Sequence, residues 1–478
     1  MNEITRRAKI VCTLGPVSST PEMIDGLMQA GLDVARLNFS HGVHETHAAT
    51  IAAIRSVSAR YERPVAILAD LQGPKIRTGL LREGKPVLLR DGQALTITTR
   101  DIPGDERVIS TNYTPLPEEV RPGDRILLAD GLIELRVKTA GGTEVECDVV
   151  NGGELGQKKG INLPGVKMKI RAVTEKDHAD LAFALQQGVN YIAVSFVRRP
   201  EDVEEAKQTI ARAGHNTPVI AKLEKPEAIE NLDAILRVAD GVMVARGDLG
   251  VEMSPEKVPV VQKQIIARAR DFRLPVITAT QMLESMTLNP RPTRAEASDV
   301  ANAIFDGTDA VMLSAETASG RYPIQSVAMM DRIIREAEAN AQPPVRRRRR
   351  EMGQLTVAEA ISEAVCDAAD ELQMKVVAVF TESGSTARLI SKYRPRSPVI
   401  AFSPNQETRR RLSLLWGVIP RRIEHVTDID SLAALAESRL LEEGLVQPGD
   451  VVGIVAGTPL GTRGTTNFMK LHTVAGKA

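Results

Sequence analysis

The chain has 478 residues, 43% of them hydrophobic, with 61 Lys plus Arg against 61 Asp plus Glu. That length calls for two or three domains with ample core for each, and zero net charge excludes a global field drawing the protein to nucleic acid or a membrane surface. Cys12, Cys147 and Cys366 form no C-x-x-C pair, which argues against a disulfide frame or a zinc knuckle and for a reducing compartment.

The chain opens MNEITRRAKIVCTLGP, without the apolar stretch of a signal peptide, and no run is long enough to span a bilayer. Cytoplasm is the expected location. Three short apolar runs follow, KIVCTLG (9–15), DVARLNFS (33–40) and VAILADL (65–71), with amphipathic stretches such as TPEMIDGLMQAG between them. From about residue 71 to 168 the texture changes to short alternating strands broken by Asp-Gly and Gly-Gly turns, as in GDRILLADGLIELRV. That pattern predicts a small inserted β-domain, placed to close as a lid. The apolar runs then resume: YIAVSFV (191–197), PVIAKLE (218–224), GVMVARGD (241–248), PVITATQ (275–281) and DAVMLSAE (309–316).

Eight β-α units fit a (β/α)₈ barrel; a doubly wound open sheet is the alternative. Polar residues gather at the C-terminal ends of the runs: Arg36, Asn38 and Ser40; Asp70; Ser195; Lys222 and Glu224; Arg246 and Asp248; Thr280; Ser314 and Glu316. A closed barrel brings such ends to one rim, which favours the barrel. The expected organisation is a barrel from 1–70 and 169–341, the insert at 71–168, and a C-terminal α/β domain at 342–478. AQPPVRRRRREMGQ opens that last domain. Its run Arg346 to Arg350 lacks aromatic neighbours and reads as a solvated linker rather than a nucleic-acid or membrane contact.

Lys222, Glu224 and Asp248 carry the strongest chemical signal. A fixed ammonium in a water-excluding site stabilises a phosphoryl or enolate oxygen, and two carboxylates are hard ligands suited to Mg²⁺. Arg36 and Arg77 offer the planar fork that favours phosphate, and Gly73 and Gly247 would let backbone approach an anion. His41, His44 and His47 mimic a ligand array, but the first and last stand about 240° apart on a helix, so a surface helix start is expected for His44 and His47. GTRGTT (461–466) reads equally as a phosphate loop or a plain connection.

In order along nearly the whole chain, KIVCTLGP, VARLNFSHG, GPKIRTG, KKGINLPG, AVSFVR, AKLEKPEAI, MVARGDLGVE, ATQMLESM, PTRAEASDVANA and MLSAETASGRYP resemble the pyruvate kinase family. The resemblance implies a barrel with an inserted small β-barrel lid and a C-terminal regulatory domain, and transfer of phosphoryl from phosphoenolpyruvate to ADP with Mg²⁺, or Mn²⁺ in its place. It implies that Lys222 contacts the transferring phosphoryl group and that Glu224 and Asp248 hold the metal. Gly247, Asp248, Thr280 and Ser195 would seat the substrate, with Arg36 on its phosphate and Thr280 relaying a proton through water. Arg77, Lys159 and Asn38, Phe39, Ser40 and His41 would face the nucleotide.

Asn38, Ser40, Asp70 and Leu71 correspond to a monovalent-cation site in the family. Here the segment reads Asp70-Leu71-Gln72-Gly73-Pro74-Lys75, with lysine where potassium-requiring members carry glutamate, so the resemblance implies that the Lys75 ammonium replaces potassium. Thr381, Ser383, Gly384, Ser385 and Thr386 resemble an effector phosphate loop, of the wording that answers to sugar monophosphates or AMP. Ser319 stands where relatives often carry lysine. A homotetramer is the usual assembly. The alternatives are a barrel lyase or aldolase acting on a pyruvate enolate, which needs no ADP, and a degenerate sensor, against which the intact charged cluster argues.

Overall fold

The computed structural model describes residues 6–166, 168–341, 355–426, 428–460 and 465–475. Each of the eight apolar runs contains a strand: Lys9–Leu14, Val34–Asn38, Ala66–Asp70, Tyr191–Val194, Val219–Leu223, Gly241–Ala245, Val276–Ala279 and Ala310–Leu313. All pair in parallel with their sequence neighbours, and the first closes on the eighth with Lys9 opposite Ala310. The closed barrel disposes of the open-sheet alternative. These strands are buried along their length, Asn38 alone being less so. Parallel strands covered on both faces have no polar side to show, which is why they read as unbroken apolar runs.

The helices between them start and stop where side chains satisfy orphan backbone groups. Thr174 and Thr293 each accept an amide from the third helical residue, Asp177 and Glu296, whose carboxylates reach back to the cap. Gly307, at φ 94°, ends the helix Arg294–Asp306 in the left-handed conformation. Inside the barrel Leu68, Ala193, Ile220, Met243, Ile277 and Met312 pack in one cluster, so the barrel is a filled core.

Between the third strand and the helix Glu175–Gln186 the chain builds its own small core. The insert is a curled sheet of six strands, in the order Ile161–Asn162, Arg125–Leu128, Ile133–Gly141, Glu144–Asn151, Ala94–Thr98 and Val108–Ser110, with a ribbon pairing Val87–Leu89 to Gly153–Leu155. Asp130 and Gly131, at φ 58° and 86°, turn the hairpin after Leu128, the Asp-Gly turn chemistry expected there.

The C-terminal domain carries a five-stranded sheet in the order Val418–Arg422, Val399–Ser403, Val376–Phe380, Val451–Gly457 and Thr466–Thr473, the last antiparallel. It docks against the N-terminal ends of the barrel strands. Leu414 joins the barrel's interior cluster, Lys9 Nζ donates to Val418 O at 2.8 Å, and Lys392 and Arg394 pair with the buried Asp309. The opposite rim is left to chemistry. Among the described residues no helix is long and apolar enough to cross a membrane. The run Arg346 to Arg350 and residues 461–464 lie outside the described residues.

Candidate active site

Lys222 is the last but one residue of the fifth strand and is 9% exposed. Its Nζ donates to Ser195 Oγ at 2.7 Å and lies 2.9 Å from Glu224 Oε1. Ser195 in turn donates its proton to Leu71 O at 2.7 Å, so only its lone pairs face the ammonium. Asp70 Oδ1 sits 3.2 Å from Nζ, a charge contact without the direction of a hydrogen bond. Burial alone would lower the Lys222 pKa, but Asp70 and Glu224 outweigh it and raise it above the ordinary lysine value. The site holds a permanent buried cation.

Arg36 ends in the same cluster and is not a free clamp. Its Nε and Nη2 both reach Asp70 Oδ2, at 2.7 and 2.6 Å, and Nη1 donates to Thr13 Oγ1 at 2.8 Å. One N–H on each terminal nitrogen remains for a ligand. The Asp70 carboxyl feels burial pushing it up, yet Lys222 and Arg36 hold it below its ordinary value. Glu224 goes the other way. Burial first and the Asp248 carboxylate after it push its pKa up, against Lys222 and the Phe196 amide, which donates to Oε2 at 2.9 Å.

Asp248 is not on a strand. The sixth strand stops at Ala245, and Arg246–Glu252 is already helix, which places Asp248 in a first turn. Glu224 and Asp248 are joined by no third acidic or histidine ligand, for among the described residues no group of three or more His, Cys, Asp or Glu side chains is placed to hold a metal ion. Two carboxylates alone suit a cation that keeps water and takes oxygens from its substrate, as Mg²⁺ does.

The seventh strand runs into a tight turn. Thr280 and Gln281 have φ of 68° and 53°, a rare conformation, and for β-branched threonine an outlier. Arg246 holds it by donating to Ala279 O and Thr280 O, at 3.2 and 2.8 Å, while pairing with Asp299 at 2.6 Å. The Thr280 hydroxyl donates to Ala279 O at 2.6 Å and accepts the Gly247 amide at 2.7 Å. The Gly247 N–H is therefore taken, leaving the Asp248 amide as the outward donor of that helix start.

Asn38 Oδ1 accepts the Ser40 amide at 3.1 Å. Phe39 points inward, 2% exposed and stacked on His47 at 4.4 Å, so only its backbone faces the rim. Burial, then the charges of Lys75, Arg77 and Arg36, lower the His41 pKa, which puts Lys75 and Arg77 in one electrostatic neighbourhood with it. Arg77 Nη1 donates to Lys158 O at 3.0 Å, and Lys159 is exposed. His44 opens the helix His44–Arg60 as expected, but it also pairs with Asp180 at 2.7 Å and stacks on Phe183 at 4.2 Å. Gly73 serves packing. A Cβ there would lie 2.8 Å from the Phe196 ring and 3.0 Å from Ser195 Cβ.

Residues 5–327 match the family described as pyruvate kinase, barrel domain, and residues 359–472 the one described as pyruvate kinase, alpha/beta domain. Pyruvate kinase of Staphylococcus aureus is 48% identical over 98% of this chain and 80% of its own length, and that of Geobacillus stearothermophilus 47% over 98% and 81%. The crystal structure of a pyruvate kinase from Cryptosporidium parvum superposes with a TM-score of 0.92 at 38% identity, covering 99% of this chain and 97% of that one. The chain belongs to the pyruvate kinase family. It is a phosphotransferase by that membership, and its barrel, curled insert and C-terminal α/β domain are the family's fold.

In the C-terminal domain, Thr381, Ser383, Ser385 and Thr386 line one cavity. Gly384, at φ 86°, sends its amide to Thr381 Oγ1 at 2.9 Å, and Thr386 shares a 2.6 Å bond with Thr466 on the last strand. Ser319 lies away from that loop, ending the helix Ala315–Ala318.

Two residues of the catalytic rim, Thr13 and Glu252, escaped sequence reasoning, as did the role of Arg246. Thr13, which orients Arg36, is one hydroxyl inside an apolar run. Arg246 stands among the polar strand ends, but nothing local tells that it grips the Thr280 turn. Glu252 joins Lys225 of the barrel to Asn162 of the insert, at 2.5 and 2.8 Å, and its signal is spread over three distant segments. Glu316, by contrast, reads as a strand-end site residue but is buried and spent on the amides of Leu283 and Ser314.

Proposed function

We propose that the protein transfers the phosphoryl group of phosphoenolpyruvate to ADP, giving pyruvate and ATP. The observation that carries this is the Lys222 ammonium, buried, charged and fixed between Ser195, Asp70 and Glu224 at the catalytic rim. Glu224 and Asp248 would hold Mg²⁺ or Mn²⁺, which supplies Lewis-acid neutralisation of phosphate and carboxylate charge when bound.

The protein's own residues do the rest. Lys222 Nζ stabilises the charge that moves onto the enolate oxygen as the phosphoryl group leaves, and it does so without reorganising, because its neighbours already hold it. Arg36 offers its two remaining N–H groups to the substrate phosphate. The Asp248 amide and the Thr280 turn seat the carboxylate. Thr280 relays a solvent proton to the enolate carbon through water, taking one up as it passes one on, which requires its hydroxyl to release Ala279 O. Asn38, the Phe39 backbone, Ser40, His41, Arg77 and Lys159 face ADP from the first rim loop and the insert, which closes over them.

Lys75 supplies the charge of a monovalent cation, so potassium is dispensable. A sugar monophosphate or AMP bound at Thr381, Ser383, Gly384, Ser385 and Thr386 activates the enzyme, which works in the cytoplasm as a homotetramer. The test is pyruvate formation from phosphoenolpyruvate, ADP and Mg²⁺ in potassium-free buffer. Turnover that needs ADP and stops on chelation is the expected result. Pyruvate released without ADP would replace the kinase with a lyase.

A further inference from the structure

Lys225 and Glu252 are each 4% exposed, and Lys225 Nζ meets Glu252 Oε1 at 2.5 Å. Lys225 follows Glu224 directly, just past the fifth barrel strand, and Glu252 stands four residues after Asp248 in the helix Arg246–Glu252. Residues four apart on a helix share a face, so one ion pair ties together the two segments that carry the carboxylates Glu224 and Asp248. Lys225 also lies over the Phe196 ring, 5.7 Å from its centroid, and the Phe196 amide donates to Glu224 Oε2 at 2.9 Å.

The same Glu252 oxygen accepts from Asn162 Nδ2 at 2.8 Å, on the insert strand Ile161–Asn162. A second point of contact is the hairpin after Leu128, where a Cβ added to Gly131 would lie 3.7 Å from Val251 Cγ1. Asp130, Gly131, Val251 and Glu252 line a cleft of about 640 Å³ between insert and barrel. The insert therefore bears on the helix that carries Asp248. Stability alone does not account for this arrangement. A carboxylate in the last turn opposes the helix dipole, and a buried ion pair often contributes no more to the fold than apolar side chains of its size. What the pair does supply is a fixed distance and direction.

We infer that Lys225 and Glu252 are positioning residues: the pair holds Asp248 at the spacing from Glu224 that a divalent cation needs, and through Asn162 it couples that spacing to the seating of the insert. The inference rests on the reading of Glu224 and Asp248 as the metal carboxylates. Partners standing behind ligating side chains commonly tune a metal site in this way. Linkage makes the coupling reciprocal, so a cation that fixes the helix also steadies Asn162.

The experiment follows free Mn²⁺ by its paramagnetic resonance during titration of the full chain without substrates, beside thermal melts and hydrogen exchange over residues 158–165. Lys225→Met/Glu252→Leu replaces the pair by apolar side chains and leaves no lone buried charge. It should melt near the wild type yet bind Mn²⁺ about 10- to 100-fold more weakly. Glu252→Asp keeps the charge one methylene short, so the contact re-forms only if the helix shifts. It too should weaken Mn²⁺ binding, and it decides the matter should the double variant fail to fold. Mn²⁺ should slow exchange over 158–165 in the wild type and not in Asn162→Ala. Glu224→Gln separates the two readings. If it binds Mn²⁺ as tightly as the wild type, the metal assignment fails and the positioning role with it. If it loses the site while Lys225→Met/Glu252→Leu and Glu252→Asp keep wild-type affinity, the metal assignment stands and the positioning role is overturned. Exchange that Mn²⁺ slows equally in the wild type and Asn162→Ala overturns the link to the insert.

Discussion

The Gly247 amide donates to the Thr280 hydroxyl at 2.7 Å, fastening the start of one rim helix to the end of the next barrel strand. Thr280 does this from φ 68°, a conformation costing a β-branched residue about 1–3 kcal/mol. Such strain persists because Arg246 grips the turn. Thr280→Val keeps shape and strain but deletes the bond, and is expected to lower kcat by about 10²-fold through misplacement of the substrate. Thr280→Ser should stay near wild type. Thr280→Gly should be more stable than Thr280→Val and no more active, as steady-state kinetics and thermal melts would show. Full activity in Thr280→Val would remove the hydroxyl from the mechanism.

Glu224 makes metal binding depend on pH. Burial and Asp248 raise its pKa above the ordinary 4.5, so in the metal-free protein it keeps its proton to a higher pH. A divalent cation binds only the carboxylate. Affinity therefore falls as pH drops through that raised pKa and levels off above it. Titration of Mn²⁺ in two buffers of different ionisation enthalpy should register proton release on binding at the low end of this window. Glu224→Gln should abolish both the release and the tight site.

Much of this architecture is legible in the chain because parallel barrel strands leave no polar face. The eight apolar runs announce themselves, and their polar tails mark the rim. Where the strands end is not legible. Arg246 and Asp248 continue an apolar run in sequence yet begin a helix, since the change depends on backbone contacts to Thr280. Phe39 lies between polar neighbours and reads as rim, but its ring stacks on His47 because the helix packs there.

At the far end of the barrel Asp33 accepts from Arg6 Nη1 at 2.7 Å and from the Ile10 amide at 2.9 Å. Burial pushes its carboxyl up, but Arg6, Lys9 and Arg63 bring it down to about 2, from 3.8. A depressed carboxyl pKa stabilises the fold above the unfolded value and loses that contribution as pH falls through the folded one. The contribution is about 2 kcal/mol at neutral pH, fading from about pH 4 toward pH 2. Denaturant unfolding at pH 5 and pH 3 should show the wild type losing about 1 kcal/mol more than Asp33→Asn. Parallel losses in the two proteins would place the acid sensitivity elsewhere.

Lys75 is half-buried, and its charge, after burial, is the largest influence on His41. It thus acts on the loop proposed to face ADP, where Asn38 stands opposite Asp70 and accepts the Ser40 amide. Asp70 already has Lys222 and Arg36, and the Leu71 carbonyl already accepts from Ser195. With its acceptors engaged and an ammonium tethered nearby, a monovalent ion has little left to neutralise. Replacing Lys75 by glutamate reverses that balance. Lys75→Glu is expected to lose about tenfold or more in kcat/KM without potassium and to recover most of it in 0.1 M KCl, while the wild type changes little between the two buffers. The comparison needs only steady-state rates in sodium-free buffer. If the wild type itself demanded potassium, or if Lys75→Glu were indifferent to it, the ammonium would not be the substitute argued here, and the oxygens of Asn38, Ser40 and Asp70 would be working as a cation site after all.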